Sequence, residues 1–135
     1  MKGACACGSV TVAVVRKPDY INFCNCSLCR KMGGAWGYYG AHEVSVTGAL
    51  ADFQRPDIDP VCLITQFCPG CGAVVRWVPL PEHDDGRVGV NMRLFDPAEL
   101  AGIESRFPNG IDWNDVDDRP PPRHSPLPYG SGFVF

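Results

Sequence analysis

The sequence predicts a mainly β fold of short antiparallel sheets, with few short helices and an extended, proline-rich C-terminal tail. Short runs of apolar and β-branched residues recur along the chain, and each is bounded by glycine, proline or aspartate. Helix-like segments are rare. Six of the 13 prolines follow Phe107, and we interpret this last segment as an extended tail, which is either disordered or docked on the domain.

The first predicted strand covers residues 8–15, where the sequence GSVTVAVV ends shortly before Pro18-Asp19. Five further runs with turn residues at both ends predict strands at 37–41, 43–47, 61–67, 73–78 and 87–94. Only two segments look helical. Residues 27–32 stop at Gly33-Gly34, and residues 97–101 begin after Asp96, a good N-cap, with Pro97 at the first helical position.

A chain of 135 residues is the size of one ordinary domain. We assign residues 1–107 to a metal-binding β domain and residues 108–135 to a tail rich in proline and aspartate. The tail carries enough apolar surface for us to expect that it docks on the domain through Phe107, Ile111, Trp113, Tyr129, Phe133 and Phe135.

Charge and hydropathy exclude two classes of partner. Twelve basic residues against 15 acidic ones give a net charge of −3, which disfavours nucleic acid as the main partner. No apolar run approaches the roughly 20 residues that span a bilayer, and the first residues lack the apolar stretch of a signal peptide. We therefore expect a cytoplasmic protein that does not bind membranes.

In a reducing compartment, eight cysteines indicate metal binding more than disulfides. Cys68 and Cys71 form a C-x-x-C turn, which brings two thiolates to one zinc. Cys5 and Cys7 lie just before the first strand and supply the two further ligands of a closed structural site. We call these residues the four-cysteine group.

Cys24, Cys26 and Cys29 form a second, three-cysteine group, whose thiolates within six residues can hold one face of a tetrahedral ion. No motif cysteine remains for the fourth position, so the sequence predicts a second zinc with an open site. The alternative is a closed cage completed by Cys62 or by one of the histidines, which are His42, His83 and His124. We expect Cys62 to be a buried core thiol and the histidines to be surface or structural residues.

Three motifs in register carry a family resemblance: CACGSV at 5–10, CNCSLCRK at 24–31 and FCPGCG at 67–72. Together they resemble the family of glutathione-dependent formaldehyde-activating enzymes, which shares its domain with centromere protein V. The resemblance implies a β-tent fold, a structural zinc on the four-cysteine group and a second zinc on the three-cysteine group. Many members have Cys-His-Cys where this chain has Ala6 and Asn25, so any role of those histidines is absent here.

The resemblance implies a carbon–sulfur lyase of the S-(hydroxymethyl)glutathione synthase type. The substrate would be a small thiol such as glutathione, bound as the fourth ligand of the second zinc and added to formaldehyde or a related electrophile. The charge of the site agrees with this chemistry. Three thiolates neutralise much of the charge of zinc, so such an ion activates water poorly but can hold an exogenous thiol as thiolate near neutral pH.

Candidate substrate contacts lie near the three-cysteine group in sequence. Arg30 and Lys31 directly follow Cys29 and can offset its charge and meet a glutathione carboxylate. Arg93 is a further candidate, and Tyr38 or Tyr39 can hydrogen-bond the nascent alkoxide.

The rival hypothesis is a non-catalytic, zinc-stabilised module that binds another protein. Its contact surface would include Arg30, Lys31, Trp36, Tyr38 and Tyr39. A fourth protein ligand on the second zinc would favour this module. A nucleic-acid-binding zinc ribbon ranks third, because it needs basic strands that the chain lacks.

Overall fold

The computed structural model describes residues 1–113 and 121–131 and, within them, eleven strands in two sheets. The strands are β1 (Lys2–Ala4), β2 (Thr11–Val14), β3 (Tyr20–Asn22), β4 (Trp36–Gly40), β5 (Val44–Thr47), β6 (Ala51–Phe53), β7 (Leu63–Phe67), β8 (Val74–Pro79), β9 (Arg87–Asn91), β10 (Glu104–Arg106) and β11 (Leu127–Pro128). The predicted mainly β fold, a β-tent of short sheets with few helices, is confirmed.

The smaller sheet has the order β1-β2-β5, and both pairings are antiparallel. Val12 and Val14 on β2 are buried and Thr11 is exposed, the alternation expected when one face of a strand meets the core. The N–H of Cys5 donates to the carbonyl of Val10 at 2.9 Å and closes the turn between β1 and β2. Cys5 and Cys7 therefore lie in a turn at the end of this sheet.

The larger sheet has the order β11-β10-β3-β4-β9-β8-β7-β6. Its pairings are antiparallel except for β3 with β10, which run parallel. Strands β7 and β8 form a hairpin whose turn contains Cys68 and Cys71. Gly72 has φ +73 in this turn, a conformation that glycine adopts without strain, and its N–H donates to the Cys68 carbonyl at 2.8 Å.

Two short helices lie at the predicted places, α1 (Ser27–Met32) and α2 (Pro97–Leu100). Helix α1 ends at Gly33, which adopts the left-handed conformation with φ 62. The Asp96 carboxylate accepts a hydrogen bond from the N–H of Ala98 at 2.8 Å and caps α2 as expected. None of the helices in the described part of the chain has the length and apolar character to cross a bilayer.

A single hydrophobic core joins the two sheets. It includes valines of the smaller sheet, Val12 and Val14, together with Val75, Val88 and Val90 of the larger one. Their burial stabilises the domain by roughly 1.5–3 kcal/mol per side chain relative to exposure. The core therefore fixes the relative positions of the turns that carry the cysteines.

Residues 121–131 lie along the larger sheet. Strand β11 pairs with β10, Tyr129 is buried, and its N–H donates to the Ile103 carbonyl at 2.8 Å. The side chain of Arg123 donates to the carbonyl of Phe23. Phe107 is also buried, whereas Ile111 and Trp113 expose 62% and 46% of their surface and pack far less than expected.

Phe133 and Phe135, which the sequence also predicts to dock, lie outside the described residues. The division of the chain into a domain of residues 1–107 and a tail of residues 108–135 stays a prediction.

Cys62 is exposed, and the expectation of a buried core thiol is wrong. Strand β7 begins one residue later, at Leu63, so Cys62 falls in the preceding loop. Its thiol lies 3.6 Å from the carbonyl of Pro60. The predicted strand at 87–94 is also shorter than expected, because the Asn91 side chain accepts from the N–H of Arg93 and residues 92–94 form a 3₁₀ turn.

Candidate metal centres and active site

The four-cysteine group joins two distant turns, the one between β1 and β2 and the one between β7 and β8. Its four sulfur atoms all lie within 4.8 Å of one another. The Sγ of Cys7 lies 3.5 Å from that of Cys5 and 3.7 Å from that of Cys68. Two sulfurs on one tetrahedral zinc are about 3.8 Å apart, so this arrangement fits a four-coordinate metal ion.

Ser9 contributes a hydroxyl to the four-cysteine group. Its Oγ lies 3.0 Å from the Sγ of Cys7 and 3.3 Å from that of Cys68. The N–H of Val10 donates to the Sγ of Cys5 at 3.2 Å. Burial raises the pKa of the Cys5 thiol, but this N–H, the neighbouring thiols and Ser9 outweigh burial and lower it to about 6. These donors favour thiolates, the form that binds metal.

The three-cysteine group lies between β3 and the first turn of α1. Its sulfur atoms are half-buried and lie within 4.8 Å of one another. The Sγ of Cys26 caps α1 by accepting from the N–H of Cys29 at 3.4 Å, and the Sγ of Cys24 accepts from the N–H of Cys26 at the same distance. The helix N-terminus thus fixes the spacing of the three thiols.

The three thiols influence one another's ionisation strongly. Hydrogen bonds from Cys24 and Cys29 lower the pKa of Cys26. Hydrogen bonding within the group raises the pKa of Cys24 and of Cys29, because a second and third negative charge would lie beside the first. Three adjacent thiolates need a cation, and the soft sulfur donors suit zinc.

Trp36 contacts the three-cysteine group from β4. Its indole N–H donates to the Sγ of Cys29 at 3.2 Å, and the residue exposes only 3% of its surface. Gly34 allows this packing, because a Cβ there would lie 2.4 Å from the Trp36 ring. A buried N–H donor lowers the electron density on a ligating sulfur.

A short loop of residues 109–111, which we call the covering loop, lies directly against the three-cysteine group. At Gly110 an added Cβ would stand 2.5 Å from the Sγ of Cys24 and 2.9 Å from the Cβ of Cys26. Only glycine therefore fits without a shift of the cysteines or of the loop. The covering loop therefore packs directly against Cys24 and Cys26.

Asn25 holds the covering loop in place. Its Nδ2 donates to the Oδ1 of Asn109 at 2.9 Å, and its Oδ1 accepts from the N–H of Ile111 at 3.2 Å. These bonds connect segments more than 80 residues apart in sequence. Sequence reasoning missed both Asn25 and Gly110, and no spacing signal in the chain points to them.

The predicted substrate contacts have different environments. Arg30 and Lys31 are exposed in the last turn of α1. The guanidinium of Arg93 lies 5.8 Å from the ring centroid of Phe23.

Tyr38 is more enclosed. Its hydroxyl accepts from the Nδ2 of Asn22 at 2.8 Å, and burial raises its pKa to about 12. Tyr38 therefore keeps its proton at neutral pH and can donate it.

No fourth ligand joins the three-cysteine group within the part of the chain that the structure describes. There, no further cysteine, histidine, aspartate or glutamate brings a ligand atom within 4.8 Å of all three thiols. Cys62 and the histidines, which are His42, His83 and His124, belong to neither group. None of these residues therefore supplies the fourth ligand that the closed-cage alternative requires.

Two of the five residues that the binding-module hypothesis places on its contact surface are internal. Trp36 and Tyr39 expose 3% and 2% of their surface. Both side chains pack in the interior because β4 is a central strand of the larger sheet, with β3 and β9 as its neighbours. The expectation that Trp36 and Tyr39 form an exposed protein-binding surface is wrong.

Residues 1–107 match the family model of the glutathione-dependent formaldehyde-activating enzyme. The chain belongs to this family. Both cysteine groups lie inside the matched region, and the covering loop begins just after it.

One relative and one solved structure extend this comparison. A Halomonas elongata protein, provisionally named a glutathione-dependent formaldehyde-activating enzyme, is 26% identical over 133 residues, covering 88% of this chain and 82% of the relative. The crystal structure of a Rhodobacter sphaeroides protein superposes with a TM-score of 0.59 at 26% identity, covering 74% of this chain and 94% of that one.

Proposed function

We propose that this chain is a zinc-dependent carbon–sulfur lyase of the S-(hydroxymethyl)glutathione synthase type. It joins a small thiol such as glutathione to formaldehyde or a related electrophile, and the reverse reaction cleaves the carbon–sulfur bond. The observation that carries the proposal is the three-cysteine group, which has three clustered thiols and no fourth ligand among the described residues of a chain from this family.

The two cysteine groups would each bind a zinc ion, one for structure and the other for catalysis. Cys5, Cys7, Cys68 and Cys71 would hold a structural zinc, and Cys24, Cys26 and Cys29 would hold the second. Bound there, zinc supplies a position at which an exogenous thiol is held as thiolate near neutral pH. We infer two zinc ions per chain.

The chain's own residues would prepare this position. The indole N–H of Trp36 takes up part of the negative charge on Cys29. The covering loop, held by Asn25, excludes water from the side of Cys24 and Cys26. Electrostatic interactions are stronger where water is partly excluded than in bulk water.

In the proposed reaction, Tyr38 stabilises the oxygen that becomes negatively charged. The thiol releases its proton to solvent as the thiolate forms; when the sulfur attacks the formaldehyde carbon, the C=O π bond breaks and the oxygen becomes an alkoxide, which takes a proton back from solvent. The Tyr38 hydroxyl accepts from Asn22 and keeps its own proton available, since burial raises its pKa to about 12. We assign it to hydrogen-bond this oxygen. In the same proposal Arg30, Lys31 and Arg93 contact the carboxylates of the thiol.

We place the protein in the cytoplasm, because none of its eight cysteines forms a disulfide and its metal groups need reduced thiols. A reducing compartment also supplies the small thiol that the reaction consumes.

The test is the exchange between ¹³C-formaldehyde, glutathione and their adduct, followed by exchange NMR on protein purified without chelator. We expect the protein to accelerate exchange at least about tenfold over the spontaneous reaction. Cys26→Ser should abolish the acceleration. Cys62→Ser is the matched control, because Cys62 is exposed and belongs to neither cysteine group. Equal rates with Cys26→Ser and the wild type would contradict the proposal.

A further inference from the structure

Arg55, in the loop between β6 and β7, lies beside the three-cysteine group. Its Nη2 donates to the Oγ of Ser27 at 3.0 Å, and Ser27 directly follows Cys26. The Arg55 side chain exposes only 18% of its surface. The charges of the Cys26 and Cys29 thiolates help to raise the pKa of Arg55, after the larger effect of Asp57. The guanidinium is thus within electrostatic reach of the thiols.

The other edge of the Arg55 guanidinium holds a carboxylate. Its Nε donates to the Oδ1 of Asp57 at 3.0 Å and its Nη2 to the Oδ2 at 2.8 Å, a bidentate pair. Asp57 exposes 62% of its side chain and has no second cation within ion-pair distance among the described residues. The Arg55 guanidinium therefore binds a carboxylate at the border between the three-cysteine group and solvent.

The negative charge of the proposed metal site explains why a positively charged side chain is needed beside it. Three thiolates and one Zn²⁺ leave a net charge of −1, and an incoming thiolate adds another negative charge. The guanidinium of Arg55 is mostly shielded from solvent, so salt screens it less than it screens the exposed Arg30 and Lys31. Arginine also matches the planar geometry of a carboxylate, which an exposed lysine does not.

We propose that Arg55 is the specificity-determining residue that selects thiols bearing a carboxylate, and that Asp57 occupies the carboxylate position in the free protein. This inference rests on the proposed function, because it names the residue that recognises the thiol substrate. A carboxylate of the thiol replaces that of Asp57 on the guanidinium, and no covalent bond changes in this exchange.

The test uses full-length protein with cobalt in place of zinc and follows the sulfur-to-cobalt charge-transfer band. Two probes are titrated, glutathione and glutathione diethyl ester, in which both carboxylates are esterified. The wild type should bind glutathione at least about tenfold more tightly than the ester. Arg55→Gln should lower the ratio of the two dissociation constants several-fold, mainly by weakening glutathione. Arg55→Lys should give a ratio between those of the wild type and Arg55→Gln, because lysine keeps the positive charge but cannot make the bidentate contact.

Two further variants complete the design. Asp57→Asn should tighten glutathione binding a few-fold and leave the ester unchanged, because it removes the competing carboxylate. Lys17→Ala removes one exposed positive charge elsewhere and should leave the ratio at the wild-type value. Metal retention by the four-cysteine group reports that each variant is folded.

The outcomes separate the two proposals. An unchanged ratio in Arg55→Gln, with thiol binding intact in the wild type, would overturn the role of Arg55 alone. If neither glutathione nor its diethyl ester altered the wild-type spectrum, the proposed function would be overturned, and the inference with it.

Discussion

Gly110 has no Cβ, and this leaves room for the cysteines of the three-cysteine group. Gly110→Ala would place a Cβ 2.5 Å from the Sγ of Cys24, so either the loop or the cysteine must move. We expect the second zinc to bind about tenfold or more weakly, with little loss of stability, because the substitution disturbs only the covering loop and the cysteines that it touches. Competition with a chromophoric chelator measures the affinity.

Gly86→Ala is the matched control for Gly110→Ala. Gly86 has φ +77 and open space around the position of a Cβ, so alanine there strains a turn without approaching the thiols. It should lower the melting temperature by a few degrees and retain both metals. Two equally retained zinc ions in Gly110→Ala would contradict the close packing of the covering loop.

The indole of Trp36 gives a second prediction for a single residue. Trp36→Phe keeps most of the buried surface and removes the N–H donor to Cys29. With cobalt bound, we expect the charge-transfer band to move to lower energy and metal affinity at the three-cysteine group to fall about tenfold. Trp77→Phe is the control, because Trp77 lies on β8 and contacts Tyr38 instead of a thiol. Identical spectra for Trp36→Phe and the wild type would contradict the claim that the Trp36 N–H lowers the electron density on the Cys29 sulfur.

At this scale the sequence predicts which cysteines cluster better than it predicts their surroundings. The cysteine positions follow from spacing, since two or three thiols within a few residues can share one metal. Ser9 lies within such a motif, but nothing in the motif shows that its hydroxyl reaches two sulfurs. The contacts of Asn25, Arg55 and Gly110 depend on loops distant in sequence, and only the folded chain brings them together.

Among the elements, the covering loop depends most on a single side chain. Asn25→Ala removes both hydrogen bonds that Asn25 makes to the loop, each contributing about 0.5–1.5 kcal/mol. We expect the Ile111 amide to exchange with solvent roughly ten- to a hundredfold faster, while core amides stay unchanged. Asn109→Ala removes one of these two bonds and also the bond from the Asn109 Nδ2 to the Oδ2 of Asp112, so it should speed the exchange of Ile111 as well. No change at Ile111 in Asn25→Ala would show that other contacts hold the loop.

The strands divide into those with a local signal and those without. The six predicted strands correspond to β2, β4, β5, β7, β8 and β9, whose apolar residues lie between clear turn signals. The missed strands, β1, β3, β6, β10 and β11, have only two or three residues each. Such segments are too short to show an alternating pattern, and partners elsewhere in the chain define them. The parallel pairing of β3 with β10 is an example.

For the molecule as a whole, the two cysteine groups should differ in what their loss does. The four-cysteine group connects Cys7 with Cys68, 61 residues apart, whereas the three-cysteine group lies within one short segment. Cys71→Ser should therefore cost several kcal/mol and unfold the domain. Cys26→Ser should lose one zinc and the activity but keep most of the β structure. Paired circular dichroism melts and zinc counts test this, and equal collapse of both variants would make the second site structural too.

The central claim is that the three-cysteine group holds a zinc whose open position takes the substrate thiol. Zinc X-ray absorption on the full chain, with and without glutathione, tests it most directly, because it counts sulfur neighbours averaged over both ions. With two zinc ions bound, we expect about 3.5 sulfur ligands per zinc in the free protein, rising to about 4 with saturating glutathione. A count that glutathione leaves unchanged, or one that is already about 4 in its absence, would contradict the account.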